Sequence, residues 1–151
     1  MDDLDRVRLG EEYDMEPVPV DAEAIRRFAQ AIGETNPLYL DPEAACQGPH
    51  GGLIASPTFF LVCYPPKEYW GSRFPEPGYF LGGLNCDFFQ PIRPGDILSG
   101  RGKITDIYEK TGRGGKMLFI IHQLRYANQR GEQVAEVQMS WVKQLDVGGE
   151  S

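Results

Sequence analysis

The second half of the chain constrains the fold most, because from Tyr79 onward apolar and polar residues alternate with period two. That alternation marks strands with one face turned to a core. Four runs carry it. Tyr79 to Phe89 is the first, and the adjacent Gly82 and Gly83 inside it predict a bulge or the close approach of another backbone. Pro91 to Asp96 (PIRPGD) is a turn with Pro-Gly at its centre. Ile97 to Tyr108 is the second run and Met117 to Ala127 the third, joined by a hairpin loop at Thr111 to Gly115. Another hairpin loop, Asn128 to Gly131, leads into the last run, Glu132 to Val142. There Ala135, Val137, Met139 and Trp141 share one face, and Glu132, Glu136, Gln138 and Ser140 the other, with Val134 breaking the polar side.

The first half reads as helices. Prolines at 17 and 19 make Tyr13 to Val20 an irregular edge strand. Asp21 is a cap, and Ile25, Phe28, Ala29 and Ile32 then fall at helical spacing on one apolar face. Arg26 and Arg27 lie off that face and read as solvated surface. Gly33 ends the helix, and Asn36-Pro37 forbids its continuation, since a residue before proline is driven from the α region. Asp41 with Pro42 restarts a helix. A Gly-rich loop follows. Ser56 to Tyr64 (SPTFFLVCY) is apolar nearly all round, as a buried central helix should be, with Ser56 as its cap. Pro65-Pro66 stops it unless it kinks on to Trp70, and residues 71–78 form a loop. Helices followed by consecutive antiparallel strands define an α+β class. One domain is expected over residues 11–145, between a flexible N-terminus (1–10) and a flexible tail (146–151).

A net charge of −7 over 151 residues argues against nucleic acid or an anionic membrane as partner. It also means that an anionic ligand would need a local group of Lys or Arg. No apolar run reaches membrane-spanning length and the acidic N-terminus is no signal peptide, so a cytoplasmic protein is expected. Cys46, Cys63 and Cys86 are odd in number and far apart, which suggests reduced thiols and no metal site.

The segment AQAIGETNPLYLDPEAA, Ala29 to Ala45, brings Glu34, Asn36 and Tyr39 together at one corner. It resembles the G-D-x-N-P-[apolar]-H signature of MaoC-like hydratases and dehydratases. FFQPIRPGDIL, Phe88 to Leu98, resembles the F-x-x-P-x-x-x-G-D segment of the same family, and its work is structural, a sharp strand-to-strand turn. The resemblance runs over about Glu12 to Val142. It implies the hot-dog fold, a curved antiparallel sheet wrapped round a central helix, and water addition or removal at an enoyl thioester of coenzyme A or acyl carrier protein. It implies no cofactor beyond the coenzyme A or phosphopantetheine of the substrate.

Two positions depart from the signature. Glu34 stands where the family has its catalytic Asp, and Tyr39 where it has His. The extra methylene of Glu34 moves the carboxylate by over an ångström, a displacement that can cost about 100-fold in rate. A phenol titrates near ~10 and is a poor base at neutral pH. Asn36 either orients a ligand or caps the corner, and the second reading is the better one. Gly51, Gly52, Ala55 and Ser56 precede the central helix, where backbone N–H groups could face a thioester oxygen. Of the two histidines, His122 alternates with apolar residues in a strand, while His50 lies in the Gly-rich loop near the expected ligand. Arg113 and Lys116 at a hairpin tip read as solvated.

Some MaoC-like dehydratases join a unit with the Asp/His pair to a unit without it, and this chain resembles the second. The resemblance therefore implies a second MaoC-like subunit, with a homodimer as the other arrangement, and little activity for the chain alone. A hot-dog thioesterase using Glu34 and a non-catalytic acyl-thioester binding module are the alternatives.

Overall fold

The computed structural model describes residues 9–63 and 78–145. Two short strands come first, β1 (Tyr13–Asp14) and β2 (Val18–Pro19). Helices α1 (Ala22–Ala31), α2 (Pro37–Leu40) and α3 (Pro42–Cys46) follow, then a 3-10 helix, Pro57–Val62. The remainder is β3 (Tyr79–Phe88), β4 (Ile97–Gly112), β5 (Gly115–Ala127) and β6 (Gln133–Leu145). The described strands make one antiparallel six-stranded sheet in the order β1-β4-β5-β6-β3, with β2 also on β4. The flanking prolines hold β1 and β2 to two residues each, at the sheet's edge.

The paired glycines do bend the sheet. The β3–β6 register shifts between Leu81 and Gly83. A Cβ on Gly82 would stand 2.5 Å from Val142 Cγ2, so no side chain fits there. Two more shifts, between Ile104 and Asp106 of β4 and between Tyr126 and Ala127 of β5, add curvature. The last explains Val134: it is the extra residue opposite that shift, which turns it inward to 2% exposure. On the concave face Leu98, Ile104, Ile120, Leu124, Tyr126, Val137 and Met139 are buried.

Two aromatic contacts tie the helical layer to that face. Phe28 of α1 meets Phe59 edge-on at 5.5 Å, and Phe60 lies 5.0 Å from Tyr126 of β5. A curved antiparallel sheet closing on a short central helix is the hot-dog fold of the α+β class.

The central helix differs from the sequence reading. Its described part is a 3-10 helix from Pro57 to Val62, Leu61 is exposed, and the Ser56 side chain makes no capping bond. Pro57 at the start and β-branched Thr58 and Val62 give this six-residue segment no surplus of α propensity. The possible continuation to Trp70 and the loop at 71–78 fall mostly outside the described residues. Ile32 is exposed because α1 stops at Ala31, one residue before it. Asp21 caps α1 as expected, accepting from Ala24 N–H at 2.6 Å. No described helix is long and apolar enough to cross a membrane.

The PIRPGD turn is a junction. Asp96, buried, accepts from Arg93 N–H (2.9 Å) and from Gln129 Nε2 (3.1 Å). Val20 N–H donates to Asp96 O and Gly95 N–H to Val20 O, each at 2.8 Å. Gly95 has φ +91, a conformation that favours glycine. The turn thus joins the entry to α1, the start of β4 and the β5–β6 hairpin.

Candidate functional site

The corner after α1 is built from local hydrogen bonds. Gly33 takes φ +74 and Glu34 N–H reaches back to Ala29 O at 2.9 Å, which closes the helix end. Glu34 Oε1 accepts from the N–H groups of Thr35 (3.0 Å) and Asn36 (3.1 Å). Asn36 Oδ1 accepts from Leu38 N–H at 3.1 Å and caps α2, with Pro37 in its first position. Tyr39 N–H donates to Asn36 O at 3.1 Å, and its ring is half-buried. Asp41 Oδ1 accepts from Glu43 and Ala44 N–H and caps α3. Glu34, Asn36 and Tyr39 are thus linked through backbone groups at one corner, and two of the three side chains hold the corner's own backbone.

The loop from Gly48 to Ser56 is stitched on both sides. Ile54 N–H donates to Leu38 O (3.2 Å) in α2, and Ala55 N–H to Ile92 O (2.8 Å) in the PIRPGD turn. Those two amides are committed to the fold and do not face a ligand. Gly51 takes φ +67, and a Cβ on Gly51 or Gly52 would meet nothing within 4 Å. Ser56 is 2% exposed and its Oγ has no hydrogen-bond partner among the described residues. A buried hydroxyl left so costs about 1–3 kcal/mol. His50 is half-buried, and its carbonyl accepts from Arg93 Nη1 at 2.8 Å. The sequence reading passed over Arg93, which occupies a freely variable position of the turn motif. The signal was there: an anionic ligand on an acidic chain needs a cation near the loop.

The other histidine is a core group. His122 is 1% exposed on the concave face of β5, its ring 6.0 Å from that of Tyr13. Burial lowers its pKa to about 3, so it is neutral at physiological pH. Burial likewise raises the Cys63 thiol to about 11, which makes it a poor nucleophile. Cys46 is exposed. Among the described residues no group of His, Cys, Asp and Glu is arranged to hold a metal ion.

Chemically, the corner has two carboxylates, Glu34 and Asp41, and both accept hydrogen bonds from its own backbone amides. The fold defines a hot-dog chain, and its corner carries Glu34 and Tyr39. Residues 8–137 match the family model for the FAS1-like dehydratase domain region, and the chain belongs to that family. It is 33% identical over 139 residues to a UPF0336 protein of Thermobifida fusca, covering 87% of this chain and 88% of that one. Among solved structures it resembles the MaoC-like dehydratase of Rhodospirillum rubrum, at 26% identity and TM-score 0.71, over 95% of this chain and 97% of that one. It also superposes on a chain of the C-terminally truncated HadBC complex, a (3R)-hydroxyacyl-ACP dehydratase of Mycobacterium tuberculosis. That match has 23% identity and TM-score 0.70, over 89% and 96% of the two chains.

Proposed function

We propose that this chain is one subunit of a heteromeric, cytoplasmic hydratase/dehydratase acting on (3R)-hydroxyacyl and trans-2-enoyl thioesters. Its partner is a second MaoC-like chain that carries the Asp and His. In the hydration direction the partner's pair takes a proton from water, the hydroxyl adds to Cβ, and a proton is delivered to Cα; dehydration reverses each step. This chain shapes the acyl pocket and supplies no general base. The observation that carries the reading is the use of Glu34: its Oε1 ties down two corner amides, and a tyrosine replaces the histidine beside it. No cofactor is required beyond the carrier of the thioester itself.

The partner's seat is the outer edge of β3. Among the described residues that strand is paired on one side only, to β6. Phe80, Leu81, Leu84, Phe88 and Phe89 on or beside it are exposed. An extended apolar edge is a template for another strand, and sheet extension by a second chain of the same fold covers it.

The test is hydration of crotonyl-CoA and longer enoyl-CoA by the purified chain alone and with the MaoC-like protein encoded beside it. Activity is expected only in the mixture. Full activity of the chain alone, lost in Glu34→Ala, would overturn the reading. Release of free thiol from acyl-CoA, again lost in Glu34→Ala, would replace it with a thioesterase.

A further inference from the structure

Most cations described in this chain are already engaged. Arg27 pairs with Glu23, Arg101 with Asp14 and Glu12, Arg125 with Glu136, Arg130 with Glu132 and Lys116 with Glu109. Lys110 and Lys143 lie over aromatic rings. Arg93 has no carboxylate within ion-pair distance among the described residues, and neither have Arg26, Lys103 and Arg113. Of these four, Arg93 alone is fixed against the Gly-rich loop, by the 2.8 Å bond from its Nη1 to His50 O. That bond holds the guanidinium in place and leaves its other N–H groups to spare.

Two residues along from His50, the loop offers more donors. The N–H groups of Gly52 and Leu53 have no acceptor among the described residues. They follow the left-handed turn at Gly51, and the space beside Gly51 and Gly52 is open. Successive free amides in a turn conformation can form a concave anion seat. The bonds from Ile54 to Leu38 and from Ala55 to Ile92 fix this stretch to both the corner and the turn. The donors are thus preorganised beside the corner, which lowers the cost of binding.

We propose that Arg93, with the amides of Gly52 and Leu53, binds the phosphate of the phosphopantetheine arm of the thioester. This rests on the carrier-thioester reading above and adds to it the group that anchors the carrier. A guanidinium matches two phosphate oxygens at once, and the −7 chain otherwise repels such a ligand. The same phosphate is present on coenzyme A and on acyl carrier protein, so the seat serves either carrier.

The experiment compares three crotonyl thioesters, of coenzyme A, of 4′-phosphopantetheine and of pantetheine, which has no phosphate. Hydration is measured with the complex of this chain and its MaoC-like partner. Arg93→Ala is expected to lower kcat/KM about 10- to 100-fold for the two phosphorylated thioesters and leave the pantetheine thioester unchanged. Arg93→Lys, which keeps a charge and a donor for His50 O, is expected to retain most of the preference for phosphate, and Arg93→Gln to lose it. An equal loss on all three thioesters would make Arg93 a loop-holding residue and overturn the proposal. So would a wild-type complex that shows no preference for phosphate. If the wild type turns over none of the three, the function reading itself has failed, and the phosphate seat falls with it.

Discussion

Between Gly33 and Cys46 the chain is held by bonds that span few residues. Glu34, Asn36 and Asp41 each accept from amides one to three positions onward, all at the exposed surface. The sheet is held the other way. Every rung of β3–β6, β5–β6 and β4–β5 is tertiary or spans a hairpin, and the concave face is sealed by residues such as Ile104, Ala135 and Val137 at 0% exposure. The corner's side-chain bonds are therefore local and tolerate substitution cheaply, as exposed hydrogen bonds do, while Leu38 O and Ala45 tie it to the rest of the fold. The sheet is a cooperative unit in which small changes are felt widely. Its last strand is also unfinished, since Phe80, Phe88 and Phe89 remain 52%, 50% and 51% exposed. A locally complete corner and an incomplete sheet edge are what the proposed division of labour between two subunits would produce.

The sharpest way to break that comparison is to charge the edge. Phe88→Glu or Leu84→Lys is expected to weaken association with the partner subunit by on the order of 100-fold, as loss of a buried anchor does. Sedimentation velocity on the mixture reads this directly. Unchanged association in both variants would place the interface elsewhere.

Next in size is the pH dependence carried by His122. Its folded pKa lies near 3, below an unfolded value near ~6.5, so the native state prefers the neutral ring. The stability it contributes is complete above about pH 6.5 and declines as pH falls towards 3, by up to ~1.4 kcal/mol per pH unit. Chemical denaturation at pH 7, 6 and 5 is expected to show this decline in the wild type and a flatter profile in His122→Leu. Parallel profiles would mean that the ring admits a proton without unfolding.

A third test stays in the sheet. A Cβ at Gly102 would lie 2.5 Å from Tyr13 Oη and 2.7 Å from Leu124 Cδ2, between β1 and the core. Gly102→Ala should destabilise the fold by about 1–3 kcal/mol through overpacking. A melting temperature within a degree of wild type would show that Tyr13 can swing clear.

The same contrast explains what the sequence could reveal. Period-two alternation, PIRPGD, the Asp21 cap and Gly33 are local signals, and they place the strands, the turn and the helix ends to within a few residues; β4 and β5 run on into the expected Thr111–Gly115 loop, where Gly112 pairs with Gly115, and β6 continues to Leu145. Gly82-Gly83 signalled a bulge because a missing side chain is visible in sequence even when the crowding Val142 is not. The 3-10 geometry of Pro57–Val62 was hidden, since apolarity reports burial and not winding. The inward turn of Val134 depends on its being the extra residue where β6 shifts register against β5, and that pairing is a tertiary fact. At the corner, residue types named the family, while the use of Glu34 and Asn36 as backbone acceptors needed coordinates. Arg93 was passed over for a like reason: whether a cation is ion-paired is a tertiary fact.

The smallest expected effects lie at the corner, and they decide most about chemistry. Asn36→Ala removes a cap and should cost about 1 kcal/mol of stability. Glu34→Gln keeps an oxygen to accept from Thr35 and Asn36, so its stability should stay within about 0.5 kcal/mol of wild type. In the complex with the partner, Glu34→Gln is also expected to keep kcat within a few-fold, because a group that only accepts amide hydrogen bonds needs no charge. A general base deprived of its carboxylate would instead lose about 100-fold or more. A stable Glu34→Gln variant with such a loss would return the proton chemistry to this corner and make the two halves of the comparison one active site.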